Sequence, residues 1–141
     1  MMVALEKKHI LDVLHDYPEI FKSVFPTGNS NTPADVYLWY DISNGSRKYI
    51  GFLSGYPMDL GTWYIQVAGL IPAERMKKVN LARFRETLCI LHKDWNGLFF
   101  LVKNDNLSMI KMCLASGFKV IGTRQDLNKN LYLEMAHVKG D

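Results

Sequence analysis

Apolar and polar positions alternate differently in the two halves of this chain. Met2 to Leu5 reads as a brief edge strand. Residues 6–16 read as a helix, with Ile10, Leu11 and Leu14 on one face and Lys7, Lys8 and Asp12 off it. Pro18 breaks that helix and suits the first turn of another, Glu19 to Phe25. Residues 26–35 are rich in turn formers and predict an exposed loop. Three strands follow. Val36 to Ile42 is aromatic and β-branched, Ser43-Asn44-Gly45-Ser46 is a hairpin signal, and Lys48 to Gly55 returns. After a turn at Pro57–Gly61, Thr62 to Ile71 completes an antiparallel meander.

The second half alternates strand and helix. Residues 80–92 place Leu81, Phe84, Leu88 and Leu91 at helical spacing, with Arg83, Arg85 and Glu86 displaced from them. Gly97 to Val102 is a continuous apolar run, expected to be a strand buried on both faces. Residues 106–116 predict a helix with Leu107, Ile110 and Leu114 inward, stopped by Gly117. Phe118 to Gly122 and Leu131 to Ala136 close the chain as strands. This order predicts a mixed α/β layer.

Composition adds bounds. The 141 residues suit one domain, 1–141, with a proper core. At 48% hydrophobic and 22% charged the chain reads as globular, and a net charge of +3 is too small to imply nucleic acid. Cys89 and Cys113 give no disulfide framework or zinc spacing, and the four histidines give no metal spacing, so no metal is expected and a reducing cytoplasm is the default. The first residues turn charged before a signal peptide could form, and no run approaches a membrane span of about 20 residues. Edge strands in the C-terminal part could pair between subunits.

One stretch carries chemistry. Tyr64–Pro72 is a strand that empties into Ala73-Glu74-Arg75-Met76-Lys77-Lys78-Val79-Asn80 before the long helix. A strand-to-helix turn aims backbone N–H groups and a positive dipole end at whatever sits above it, which suits phosphate oxygens. Arg75, Lys77 and Lys78 read either as a solvated basic surface or as an anion site. Cations oppose the dipole at a helix start, and a bound anion would offset that mismatch. Asn80 reads as an N-cap for the helix beginning at Leu81.

With these segments in view, the chain resembles the GNAT superfamily of N-acetyltransferases over roughly residues 36–136. The resemblance rests on Asn106-Leu107-Ser108-Met109-Ile110-Lys111-Met112-Cys113-Leu114-Ala115-Ser116-Gly117-Phe118-Lys119, which keeps the family's Asn-to-Gly-Phe spacing, and on Leu70-Ile71-Pro72 leading to Arg75. It departs where the family's pyrophosphate loop carries glycines, since Lys78 and Asn80 stand there. It departs again where many members carry a tyrosine that protonates the CoA thiolate, since Cys113 stands there.

The resemblance implies a mixed, mostly antiparallel sheet of 6–7 strands with helices on both faces. It implies acetyl-CoA as cosubstrate and an amine, small-molecule or protein, as acceptor. Coenzyme contacts would come from Leu70, Ile71, Arg75, Met76, Lys77, Lys78, Val79, Asn80 and Asn106, with Asn106 either bonding the pantetheine arm or capping its own helix. A backbone N–H near Leu70 or Ile71 would stabilise the oxyanion. Asp59 and Glu74 are the candidate bases. Cys113 is either a buried small hydrophobe or a proton donor, and Tyr64 or Tyr132 could replace the missing tyrosine. The strand holding Leu70 would have to splay from its neighbour after Val102, with a bulge at Gly69. A catalytically inactive relative, keeping the fold for binding or assembly, is the alternative that the departures favour.

Overall fold

The computed structural model describes residues 2–18 and 35–140. The helix expected over 19–25 and the loop residues 26–34 lie outside them. The order is β1 (Val3–His9), α1 (Ile10–Asp16), β2 (Asp35–Asp41), β3 (Lys48–Pro57), β4 (Thr62–Leu70), α2 (Asn80–Leu91), β5 (Gly97–Lys103), α3 (Leu107–Ala115), β6 (Lys119–Gln125) and β7 (Leu131–Val138). Short 3-10 turns at Asp59–Gly61 and Pro72–Glu74 flank β4.

The first strand is longer, and the first helix shorter, than the pattern predicts. β1 runs to His9 because every residue from Val3 to His9 finds a partner on β2, down to His9 opposite Asp35. Its charged residues fall on both faces: Glu6 meets Lys8 and Arg47 on one, and Lys7 meets Asp35 at 3.5 Å on the other. The helix begins only at Ile10, where the His9 imidazole accepts the Leu11 N–H at 3.2 Å. It stops at Asp16, two residues before Pro18.

Seven strands form one sheet in the order β1-β2-β3-β4-β5-β7-β6, antiparallel throughout except for the β4–β5 pair. That parallel pair is short: Thr62 to Ile65 match Gly97 to Phe100, and no pairing continues beyond. β4 then leans on β3 alone, and a gap opens between the two central strands. The opening starts two residues earlier on β5 than the expected point after Val102.

A bulge sits at the same level. Ser54 faces Val67 while Gly55 faces Ile65, so Gln66 is the extra residue. The expected site, Gly69, lies in regular ladder opposite Phe52. The bulge reverses the sides of the strand: Trp63 and Ile65 enter the larger core, whereas Val67 packs on the opposite face. Gly55 permits it. A Cβ there would stand 2.0 Å from the Tyr64 carbonyl oxygen and 2.7 Å from the Trp63 ring.

Both faces are covered by helix. α2 and α3 press Phe84, Leu88, Leu91 and Cys113 onto Trp63, Ile65, Leu98, Phe100, Val102 and Met135. Burial of side chains this size contributes about 1.5–3 kcal/mol each. α1 covers the other face with Ile10 and Val13 over Val36, Leu38 and Phe52. β5 is not apolar-buried on both sides: Leu98, Phe100 and Val102 are buried, and Phe99 and Leu101 are only half-buried on the second face.

Two helix faces differ from expectation. Arg83 is buried rather than displaced, because Asp41 and Asn80 receive its guanidinium inside. α3 is turned by about one residue, so Cys113 is inside while Leu107 and Leu114 are exposed. Gly117, at φ +97°, ends α3 as expected, with Phe118 N–H reaching the Cys113 carbonyl at 3.0 Å.

Candidate functional site: a cleft on the unpaired edge of β4

The gap beside β4 opens into a cavity of about 510 Å³ between the end of β4, the start of α2 and α3. Its walls are apolar where Trp39, Phe84, Met109 and Met112 line it, and polar at its mouth, where Arg75, Asn80 and Asn106 stand. One side is bare backbone. Ile71 N–H donates to the Ile50 carbonyl at 2.9 Å, so Ile50 and Ile71 form a hydrogen-bonded pair. Such pairs alternate with outward-facing ones in an antiparallel ladder. The alternation turns the amides of Leu70 and Ala68 away from β3, toward the gap. An oxyanion contact is therefore open to Leu70 and Ala68, whereas the Ile71 amide is already taken.

The basic turn sorts into separate tasks. Arg75 reaches back from the mouth, its Nε donating to the Leu70 carbonyl at 3.0 Å, and no carboxylate among the described residues pairs with it. Met76 holds a left-handed backbone at φ +64° with its side chain exposed, so this loop makes its turn without glycine. Lys78 is exposed and Val79, at the N-cap, makes no side-chain cap.

Asn80 is not the cap that its position suggests. Buried, it donates from Nδ2 to the Glu74 carbonyl at 2.9 Å and accepts from Arg83 Nη1 at 3.1 Å. Its side chain thus folds back under the turn. The N–H groups of Leu81 and Ala82 meet no acceptor among the described residues. Asn80 therefore caps none of these N–H groups, and Lys78 is exposed.

Searches by sequence find nothing: no family model matches the chain, and no curated protein does. Solved structures do match. Spermidine N-acetyltransferase from Vibrio cholerae, in complex with CoA and spermine, superposes with a TM-score of 0.67 at 11% identity, covering 98% of this chain and 96% of that one. A GNAT family acetyltransferase from Elizabethkingia anophelis with acetyl-CoA bound gives 0.66 at 12% identity, covering 97% and 98%. The fold is that of the GNAT acetyltransferases.

Within this GNAT fold the other sequence candidates scatter. Glu74 is fully buried below the turn, outside the cleft, where Lys77, Lys48 at 3.1 Å and Arg83 at 3.8 Å surround it. The Lys77 contact, then that of Lys48, holds its carboxyl below the usual range. Lys77 is engaged there rather than at the mouth. Asp59 is exposed at the β3–β4 turn. At about 3.3 Å per strand residue it lies roughly 20 Å from the Ala68 amide. Cys113 is fully buried, away from the cleft, and burial pushes its thiol up to about 12. The Asn106 side chain accepts the Met109 N–H at 3.4 Å, a long cap that leaves its amide donors facing the cleft mouth. Tyr132 points its hydroxyl at Asp126, 3.4 Å away.

The sequence reading missed Ala68, Met109 and Met112; of the aromatics Trp39, Tyr40, Trp63 and Tyr64, which read either as groove lining or as core, Trp39 lines the cleft. Trp39 on β2 crosses the sheet toward β4 over Gly51, its directly opposite residue on β3. That neighbour relation exists only once three strands are in register. The one local signal for Ala68 and Met112 was the small-residue and methionine content of segments already assigned to strand and helix.

Proposed function

We propose that the chain transfers an acetyl group from acetyl-CoA to an amine. The observation that carries this reading is the bare β4 edge: two gap-facing amides beside an apolar cleft that ends at an open helix N-terminus. An amide-bearing pantetheine arm is a strand-like partner for such an edge. The apolar walls of Trp39, Phe84, Met109 and Met112 suit its methylene parts. Arg75, Lys78 and the N–H groups of Leu81 and Ala82 form an anion site for the diphosphate. Asn106 adds an amide donor at the mouth.

The chemistry follows from the same edge. A neutral amine attacks the thioester carbonyl and forms the N–C bond, the nitrogen of the tetrahedral adduct loses a proton to water, and the C–S bond breaks to release a thiolate. The Ala68 N–H, nearest the point of divergence, is the donor placed for the oxyanion, with Leu70 two residues on. Among the described residues the cleft walls carry no tyrosine, cysteine or carboxylate. A thiol has a pKa near 8.5, so a thiolate can depart without a side-chain acid and take its proton from water.

Calorimetric titration with acetyl-CoA tests this. Binding is expected, with a loss of tenfold or more, about 1.4 kcal/mol, in an Arg75→Ala, Lys78→Ala double variant. No heat at millimolar ligand with the intact protein would remove the acyltransferase reading. Undiminished binding by the double variant would relocate the phosphate site.

A further inference from the structure

Met76 gives the basic turn a shape that its own side chain does nothing to secure. Arg75 at φ −71°, ψ 152° followed by Met76 at φ +64° is the dihedral sequence of a type II turn over residues 74–77. Its third position normally takes glycine, because a Cβ makes the left-handed conformation unfavourable. Met76 holds it with its side chain almost wholly in solvent. A backbone of this kind persists only where the flanking structure enforces it. Among the described residues, the N–H groups of Met76, Lys78 and Val79 meet no acceptor, and those of Leu81 and Ala82 continue the row. A run of such N–H groups around a turn makes a concave seat for an anion.

The enforcement comes from Glu74, the first residue of that turn. Its fully buried carboxylate meets the ammonium of Lys77, the last residue, so one ion pair joins the two ends of the turn around Met76. The same carboxylate is anchored from outside by Lys48 at the start of β3, 3.1 Å away, and by Arg83 on α2 at 3.8 Å. The Glu74 carbonyl is held too, by Asn80 Nδ2 at 2.9 Å, and Arg83 ties Asn80 and Asp41 into the same network. A buried carboxylate is stable only with charged donors about it, and with them it holds its partners firmly. Lys77 is thereby fixed on the inner side of the turn, and the backbone at Met76 has to pass over it.

We propose that Glu74 is a positioning residue for coenzyme binding: by clamping Lys77 across the turn it keeps Met76 left-handed, so that a loop without glycine presents its amides to the diphosphate. This rests on the acetyl-transfer reading for the ligand but not for the loop conformation. Glu74 touches neither substrate. It does with charge what a glycine at position 76 would do by lacking a Cβ.

Two measurements test it. The first reads the backbone resonances of Met76 without any ligand. They should report a left-handed residue in the parent and lose that signature in folded Glu74→Gln. Lys77→Met, which leaves Glu74 its Lys48 and Arg83 partners, should lose it too and serves if Glu74→Gln does not fold. A left-handed Met76 in either folded variant overturns the inference, whatever acetyl-CoA does. The second is calorimetric. Glu74→Gln should bind acetyl-CoA about tenfold more weakly, since only a fraction of its loops keep the competent shape. It should bind S-acetylpantetheine, which lacks the diphosphate, as the parent does. Adding Met76→Gly to Glu74→Gln should restore most of the acetyl-CoA affinity, because glycine takes positive φ unaided. Equal weakening for both ligands, or no rescue by glycine, would reduce Glu74 to a general structural role and refute the assignment. Failure of the parent itself to bind acetyl-CoA would remove the acyltransferase reading and leave the clamp to be decided by the Met76 resonances.

Discussion

His92 Nε2 lies 2.8 Å from His137 Nδ1, and each imidazole turns its other nitrogen onto a backbone carbonyl, Trp95 O at 3.0 Å and Ser116 O at 3.1 Å. Carbonyls only accept, so both outer nitrogens must donate. The two inner nitrogens then face each other, and only a third, shared proton makes all three contacts hydrogen bonds. The pair ties the end of α2 to β7 and to the turn after α3. It joins the far ends of the two helices whose other ends bracket the cleft.

A strongly deshielded imidazole N–H resonance is therefore expected in the proton NMR spectrum of the native protein. His137→Phe should abolish it and lower stability by about 1–3 kcal/mol, because His92 is left with an unmet buried nitrogen. A native spectrum without that resonance would mean that the two rings do not share a proton.

Gly55→Ala should be among the more damaging single-methyl additions in the sheet. The Tyr64 carbonyl and Trp63 ring occupy the Cβ position, so the bulge must shift. A loss of about 1–3 kcal/mol in denaturant unfolding is expected, with weaker acetyl-CoA binding in calorimetry as the gap-facing amides move. Full stability and full binding together would show that the bulge tolerates a side chain.

Asp41 fastens the end of β2 to α2. The Ser43 hydroxyl and N–H, then the Arg83 guanidinium, hold its carboxyl well below the usual range. A carboxylate depressed in the folded state stabilises fully above its unfolded pKa of about 4 and loses that contribution as pH falls below it. Asp41→Asn should lower the Tm at pH 7, and the difference from the parent should shrink as the buffer is taken from about pH 5 toward pH 2. Parallel Tm curves for the two proteins over that range would contradict the linkage.

The two thiols should separate cleanly. Cys89 is exposed, while Cys113 is buried with its thiol raised to about 12. Native protein should titrate one thiol per chain with a disulfide reagent, and unfolded protein two. Cys113→Ser should cost about 1–3 kcal/mol of stability through the buried hydroxyl yet leave kcat within a few-fold. A large fall in kcat at unchanged stability would restore Cys113 as a proton donor.

Much of this architecture was readable in advance, for physical reasons. The meander from β2 to β4, α2, and the Gly117 stop follow from local periodicity and turn chemistry, and they lie where the pattern put them. The failures share a cause. The strand character of Glu6 to His9 depends on a partner 30 residues away, and the burial of Arg83 depends on Asp41 across the fold. The bulge at Gln66 depends on Gly55 making room from the next strand. At the candidate site, Arg75, Leu70 and Asn106 were legible because they belong to local turns and caps. Ala68 was not, because its significance arises only where β4 and β5 part.

That parting has a mechanical consequence. Among the described residues, four pairs, Thr62 to Ile65 against Gly97 to Phe100, are the only ladder joining a four-stranded panel to a three-stranded one. The molecule is built like a book with a short spine. A coenzyme arm laid along β4 would lengthen that spine, so occupancy should stiffen the whole sheet and not merely the walls that touch the ligand.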